Sequence, residues 1–252
     1  MGLFQACLGA LSVLTLGIFN RLLIDEFSVP AALTALALGA QQLVAFTRVW
    51  FGQRSDNCRW RGLRRTPFIL CGSLSFCVLF WIAGRTVLWL AEASQAGDGS
   101  AVLLRGLVLT LVFLGYGLAI SASSTPFAAL LVDVSSERQR SALVSVVWSM
   151  LTVGIVAGAI LASRFLGTAC ASTDLNLVIA GVERLIVVAP LVIFGLILLA
   201  VLGVERPIGQ PAEQAQSAAD RPAELSFAQA WTVLRASPQV AYFFGVLSLF
   251  TF

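Results

Sequence analysis

Long apolar runs separated by short polar connections occupy most of the chain. Hydropathy and helix breakers place six of them, over Gly2–Ile24, Ala31–Phe51, Pro67–Leu90, Gly106–Leu131, Ala142–Leu166 and Leu177–Gly203. Each is close to or longer than the ~20 residues a helix needs to cross a hydrocarbon core of about 30 Å. The pattern predicts an all-α, six-span polytopic membrane bundle over residues 1–204. The first run starts at Gly2 with no charged segment ahead of it, so it is expected to be a retained helix rather than a cleaved signal. A polar stretch from Glu205 to Ser237, punctuated by Pro207, Pro211 and Pro222, reads as a cytoplasmic linker. Near its end Ser226 and Gln229 form a capping-box pair, and Phe227, Trp231 and Leu234 share one face of a short amphipathic helix. Residues 238–252 open a further apolar run, expected to be the start of a seventh span. Six helices, a polar loop and the beginning of another run are the layout of the N-terminal half of a twelve-helix bundle built from parallel repeats.

Composition sharpens this picture. The chain is 58% apolar and 12% charged, with a mean hydropathy of +0.91. A soluble domain carries roughly 25% charge, so a water-soluble globule is excluded. All 16 basic residues are arginine, and a net charge of +3 gives no reason to expect nucleic acid as a partner. Histidine is absent, which removes the commonest proton shuttle and the commonest zinc or haem ligand. The five cysteines, Cys7, Cys58, Cys71, Cys77 and Cys170, are scattered and encode neither a disulfide framework nor a metal knuckle. No metal site is expected.

Charge position sets the expected orientation. The connection Gly52–Thr66 holds Arg54, Arg59, Arg61, Arg64 and Arg65, and the connection after the fourth span holds Arg138 and Arg140. The opposite connections are poorer in arginine, with Asp25, Glu26, Glu92, Asp98, Arg105 and Asp174. The positive-inside rule therefore places the N-terminus and the arginine-rich loops in the cytoplasm.

Local motifs go further. Gly52-Gln53-Arg54-Ser55-Asp56, followed by Gly62-Leu63-Arg64-Arg65-Thr66, resembles the loop between helices two and three of the major facilitator superfamily. Asp133 to Ser141, with Glu137, Arg138 and Arg140, resembles the Asp-and-Arg loop which that superfamily carries after helix four. Three stretches narrow the likeness: Asn20 to Glu26 with Val29-Pro30-Ala31, Arg48 to Gly52 with Ser55-Asp56, and Ser121 to Asp133. Together with Val147 to Met150 and Val153 to Val156 they resemble the PucC family of bacteriochlorophyll-delivery proteins, its cyanobacterial members above all. The likeness runs from Gly2 to about Pro207 and departs at Gln41-Gln42, where His-Gln would be usual, and over Cys58 to Leu63. It implies a non-enzymatic factor of a thylakoid or photosynthetic inner membrane that assists chlorophyll delivery to antenna or photosystem polypeptides. Chlorophyll-synthesis enzymes and membrane lipids are further partners it implies.

Without histidine, chlorophyll magnesium held transiently here would take oxygen from Gln41, Gln42, Asn20, a carboxylate, a carbonyl or water. For the two glutamines, interhelical hydrogen bonding is the competing role. Arg21 can pair with Asp25 along one helix face. Glu183 and Arg184 lie deeper, point about 100° apart and need partners on other helices, so with Asn20 and Arg21 they are candidate pigment or substrate contacts. Pro126 removes a helix hydrogen bond, and the neighbouring Ser121, Ser123, Ser124 and Thr125 are placed to satisfy the freed carbonyl. Gly154, Gly158 and Ala162 form a smooth helix-packing face. A secondary transporter of a small solute shares the same layout. A membrane prenyltransferase would need acid clusters, and Asp133-x-x-x-Glu137 is an isolated candidate that fits the loop motif better.

Overall fold

A computed structural model describes residues 1–57, 63, 65–135, 137–166, 175–202, 204 and 242. The chain divides into two compact units, Met1–Pro207 and Ile208–Phe252, and of the second only Tyr242 is described. The expected linker and seventh-span start otherwise lie outside the described residues.

The described part of the first unit is built from helices α1 (Gly2–Glu26), α2 (Ala31–Leu43), α3 (Thr47–Asn57), α4 (Thr66–Gln95), α5 (Gly99–Val134), α6 (Glu137–Leu166) and α7 (Leu175–Val201). Five of them, α1 and α4 to α7, are long and apolar enough to cross a membrane. The protein is an all-α integral membrane protein. Packing follows the order α2, α5, α4, α7, α1, α6, with α3 against α5.

The second expected span is two helices rather than one. α2 stops at Leu43 and α3 begins at Thr47. Between them the amides of Ala45 and Thr47 reach back three residues, to the carbonyls of Gln42 and Val44, at 3.0 Å each. The Thr47 hydroxyl also donates to the Val44 carbonyl at 2.7 Å. A Ser or Thr side chain that engages a backbone carbonyl offers an alternative to the helical ladder, and hydropathy does not register it. The broken segment lies hard against α5: a Cβ on Gly117 would stand 2.4 Å from the Gln41 carbonyl oxygen.

α1 is continuous but includes π-helical stretches at Val13–Ile18 and Leu22–Glu26. The wider turn brings residues five apart onto one face. Arg21 accordingly pairs with Glu26, at 3.9 Å, and not with Asp25 as an ordinary helix would require.

The expected loop between the third and fourth spans contracts to Ala96–Asp98. Gly97 sits at φ +70°, a left-handed conformation that suits glycine. Asp98 caps α5 by accepting from the amides of Ser100 (3.0 Å) and Ala101 (3.1 Å) and from the Ser100 hydroxyl (2.7 Å). Glu92 and Arg105, expected in the loop, therefore stand on helices. α5 continues through Pro126 to Val134, with the Ser123 hydroxyl donating to the Ile120 carbonyl at 3.1 Å.

The core joins α1 to α4 and α5 through aromatic rings. Phe4 stacks on Phe127 at 4.2 Å, Phe19 stacks on Phe80 at 5.3 Å, and Phe113 meets Tyr116 edge-on at 6.0 Å. The opposite side of α1 is smooth. A Cβ on Gly9 would lie 2.2 Å from the Leu151 carbonyl oxygen, and one on Gly154 would lie 1.9 Å from that of Ala6. Gly158 stands against the Ala10 backbone in the same way.

Gly154→Ala should therefore force α1 and α6 apart and lower thermal stability in detergent, by about 1–3 kcal/mol as overpacking generally does. Gly39→Ala, with nothing within 4 Å of the new methyl, should be neutral or mildly stabilising. Equal effects would contradict the close helix contact. A second expectation concerns Asp98, whose carboxyl is held below its ordinary pKa by the Ser100 hydroxyl and the Ala101 and Ser100 amides. Its capping stabilisation is present above the unfolded carboxylate pKa and is lost as pH falls through the lowered folded value. Amide exchange at Ser100 and Ala101, corrected for intrinsic rates, should rise only in that acid window, and Asp98→Ala should abolish the dependence.

Candidate functional site

At the arginine-rich end of the bundle, an ion pair joins the two loop motifs. Arg65 caps the start of α4 and Asp133 lies in the last turn of α5. Arg65 Nε stands 2.9 Å from Asp133 Oδ2, with the arginine side chain largely buried and the carboxylate half exposed. Nearby, Ser55 is buried and donates to the Gly52 carbonyl at 2.8 Å, and a Cβ on Gly52 would meet the Thr125 methyl at 3.3 Å. α3 is thereby seated on α5. Asp56 falls in the last turn of α3, while Gly62 and Arg64 lie outside the described residues. Arg138 and Arg140 are exposed in the first turn of α6.

The opposite end carries a second constellation, with members that sequence reading did not single out. Arg85 Nη1 on α4 lies 3.0 Å from Glu183 Oε1 on α7. Arg105 Nη1 stands 3.7 Å from Glu92 Oε2, donates to the Trp89 carbonyl, and its guanidinium lies 4.5 Å from the centre of the Trp89 ring. Trp81, Arg85, Trp89, Glu92, Gln95 and Glu183 line a cleft of about 480 Å³ between α4 and α7. One cation and two anions line it, and Arg105, beside it, pairs with Glu92. Arg85 went unremarked because its span is otherwise apolar. The available signal was matching depth: Arg85 lies ten residues before Gln95, and Glu183 lies eight after Leu175 on an adjacent helix running the other way.

The remaining candidates stay apart from this cleft. Asn20, Arg21 and Gln42 are exposed and Gln41 is buried, and none of the four lines it. Arg184 is exposed beside Glu183, whose partner is Arg85. Among the described residues, no group of three or more His, Cys, Asp or Glu is placed to hold a bare metal ion.

The chain matches the family described as PUCC protein over residues 18–252. It belongs to the PucC family. Among its relatives, the "Bacteriochlorophyll synthase 44.5 kDa chain" of Rhodobacter capsulatus is 30% identical over 214 residues, covering 84% of this chain and 45% of that protein. "Protein PucC" of Rhodobacter capsulatus is 29% identical, covering 70% of this chain and 41% of that protein. "Protein PucC" of Rhodovulum sulfidophilum is 28% identical, covering 66% of this chain and 37% of that protein. This PucC-family chain thus spans less than half the length of these relatives. No solved structure matches it.

If Arg65 and Asp133 hold α4 and α5 together, replacing either with alanine should lower the unfolding temperature. Replacing both should cost less than the sum, leaving a coupling of about 0.5–3 kcal/mol in a double-mutant cycle. Strict additivity would show that the pair contributes nothing jointly.

Proposed function

We propose that this chain is part of a non-enzymatic assembly factor that helps deliver chlorophyll or bacteriochlorophyll to antenna or photosystem polypeptides. The observation that carries the reading is the family match over residues 18–252, reinforced by relatives whose names refer to PucC and to bacteriochlorophyll synthase. With no histidine in this chain, a magnesium held here would take an oxygen donor, which suits a hard cation. Gln41, Gln42 and the carboxylates supply such donors. The five arginines between Gly52 and Thr66 favour a cytoplasmic N-terminus in a photosynthetic membrane.

Deleting the gene should lower the accumulation of a chlorophyll-binding complex before any solute gradient changes. The full-length protein purified in mild detergent should carry a chlorophyll absorption band or antenna polypeptides. A colourless preparation, free of such polypeptides, that exchanges a solute across proteoliposomes would sink the reading and favour a secondary transporter.

A further inference from the structure

The cleft between α4 and α7 poses a physical problem. With a hydrocarbon core of about 30 Å centred on these helices, Arg85 and Glu183 lie about 7 Å inside its boundary. A charge placed there is costly to insert. Yet both side chains are about half exposed, at 55% and 51%, on a face with no other part of the described bundle over it. Such a pair calls for something polar to share it.

The lining indicates what. Arg85 engages Oε1 of Glu183 at 3.0 Å, and the glutamate lines the cleft. A carboxylate neutralised by a guanidinium is a hard oxygen donor with no net charge to bury, suited to magnesium. The cleft's other carboxylate, Glu92, is taken up by Arg105, and among the described residues no group of three or more His, Cys, Asp or Glu gathers there. A bare cation would need several such ligands. A metal that arrives with four in-plane nitrogens needs only one, at its axial position. Trp81 and Trp89 line it with aromatic rings, Ile82, Leu88 and Ile179 with apolar side chains, and Gln95 with an amide. The volume of about 480 Å³ lies within the usual range of small-molecule sites, about 300–1,000 Å³.

We infer that this cleft is a docking site for a magnesium tetrapyrrole, with Glu183 as the axial oxygen ligand and Arg85 as the residue that positions and neutralises it. The inference rests on the pigment-handling reading and assigns it a place and a ligand atom. Binding exchanges a water on the magnesium for a carboxylate oxygen, and no covalent bond of the pigment changes. Glu183 keeps its contact with Arg85 throughout, so no unpaired charge is left in hydrocarbon when the pigment departs.

The test uses full-length protein in mild detergent, titrated with chlorophyll a and, separately, with its magnesium-free counterpart pheophytin a. Co-elution, the red absorption band and the Raman signature of five-coordinate magnesium are the readouts. Wild-type protein should bind chlorophyll at least tenfold more tightly than pheophytin. Glu183→Ala should weaken chlorophyll binding tenfold or more, and Glu183→Gln, which retains an oxygen, should weaken it less. Because Glu183→Ala strands Arg85, the charge-free pair Arg85→Leu with Glu183→Leu is made alongside it, and should melt near wild type while losing the same binding. Wild-type affinity in a folded charge-free pair would overturn the site while leaving pigment handling intact. Equal binding of pheophytin would overturn the magnesium contact and make the cleft a site for amphiphiles in general. A wild-type protein that binds neither pigment would remove the pigment-handling reading itself.

Discussion

Hydrocarbon supplies no hydrogen bonds, so each polar group on a membrane helix must find its partner in the chain, in another molecule or at the membrane surface. The described bundle is organised by that demand. Hydroxyls fold back on their own helices: Thr15 donates to the Leu11 carbonyl, Thr86 to Ile82 and Thr110 to Gly106, at 2.8–2.9 Å. Where the ladder fails between α2 and α3, three-residue turns and the Thr47 hydroxyl take up carbonyls that would otherwise face lipid. Ion pairs reduce the remaining cost. Those at the helix ends are partly served by water, while the Arg85–Glu183 pair lies deeper and is the least explained by the chain alone.

Packing is then divided between two kinds of surface on one helix. α1 presents Phe4 and Phe19 to rings on α4 and α5, and presents Ala6, Gly9 and Ala10 to α6. In lipid there is little hydrophobic drive between helices, so contact must come from dispersion over closely fitted surfaces. Rings achieve this by area and glycines by proximity. Rings join α1 to α4 and α5, and glycines join it to α6.

Hydropathy located the five described helices that are long enough to cross a membrane, because length and apolar content are what a bilayer selects. Residue pattern, and not hydropathy, located the two loop motifs that Arg65 and Asp133 join, and the local residues resembling the PucC family led to the right family. Hydropathy was blind to hydrogen-bond register. The break after Leu43, the π turns that give Arg21 to Glu26, and the continuation of α4 and α5 to a three-residue turn all depend on which carbonyl each amide finds. The α4–α7 cleft was half visible: Glu183 stood out as an intramembrane charge, but its partner required knowing which helices are neighbours. Asn20, Gln41 and Gln42 were chosen for their chemistry, and chemistry along a chain does not say which residues share a cleft.

The Arg65–Asp133 contact has a consequence for how the bundle is made. A helix carries partial positive charge at its start and partial negative charge at its end. Arg65, at the start of α4, and Asp133, at the end of α5, each stand at the end where the helix repels them. Alone, either helix is electrostatically frustrated; as an antiparallel hairpin, each charge relieves the other. The α4–α5 pair therefore gains by entering the bilayer as one unit, and its closing clasp forms only after the whole hairpin, from Arg65 to Asp133, has been synthesised.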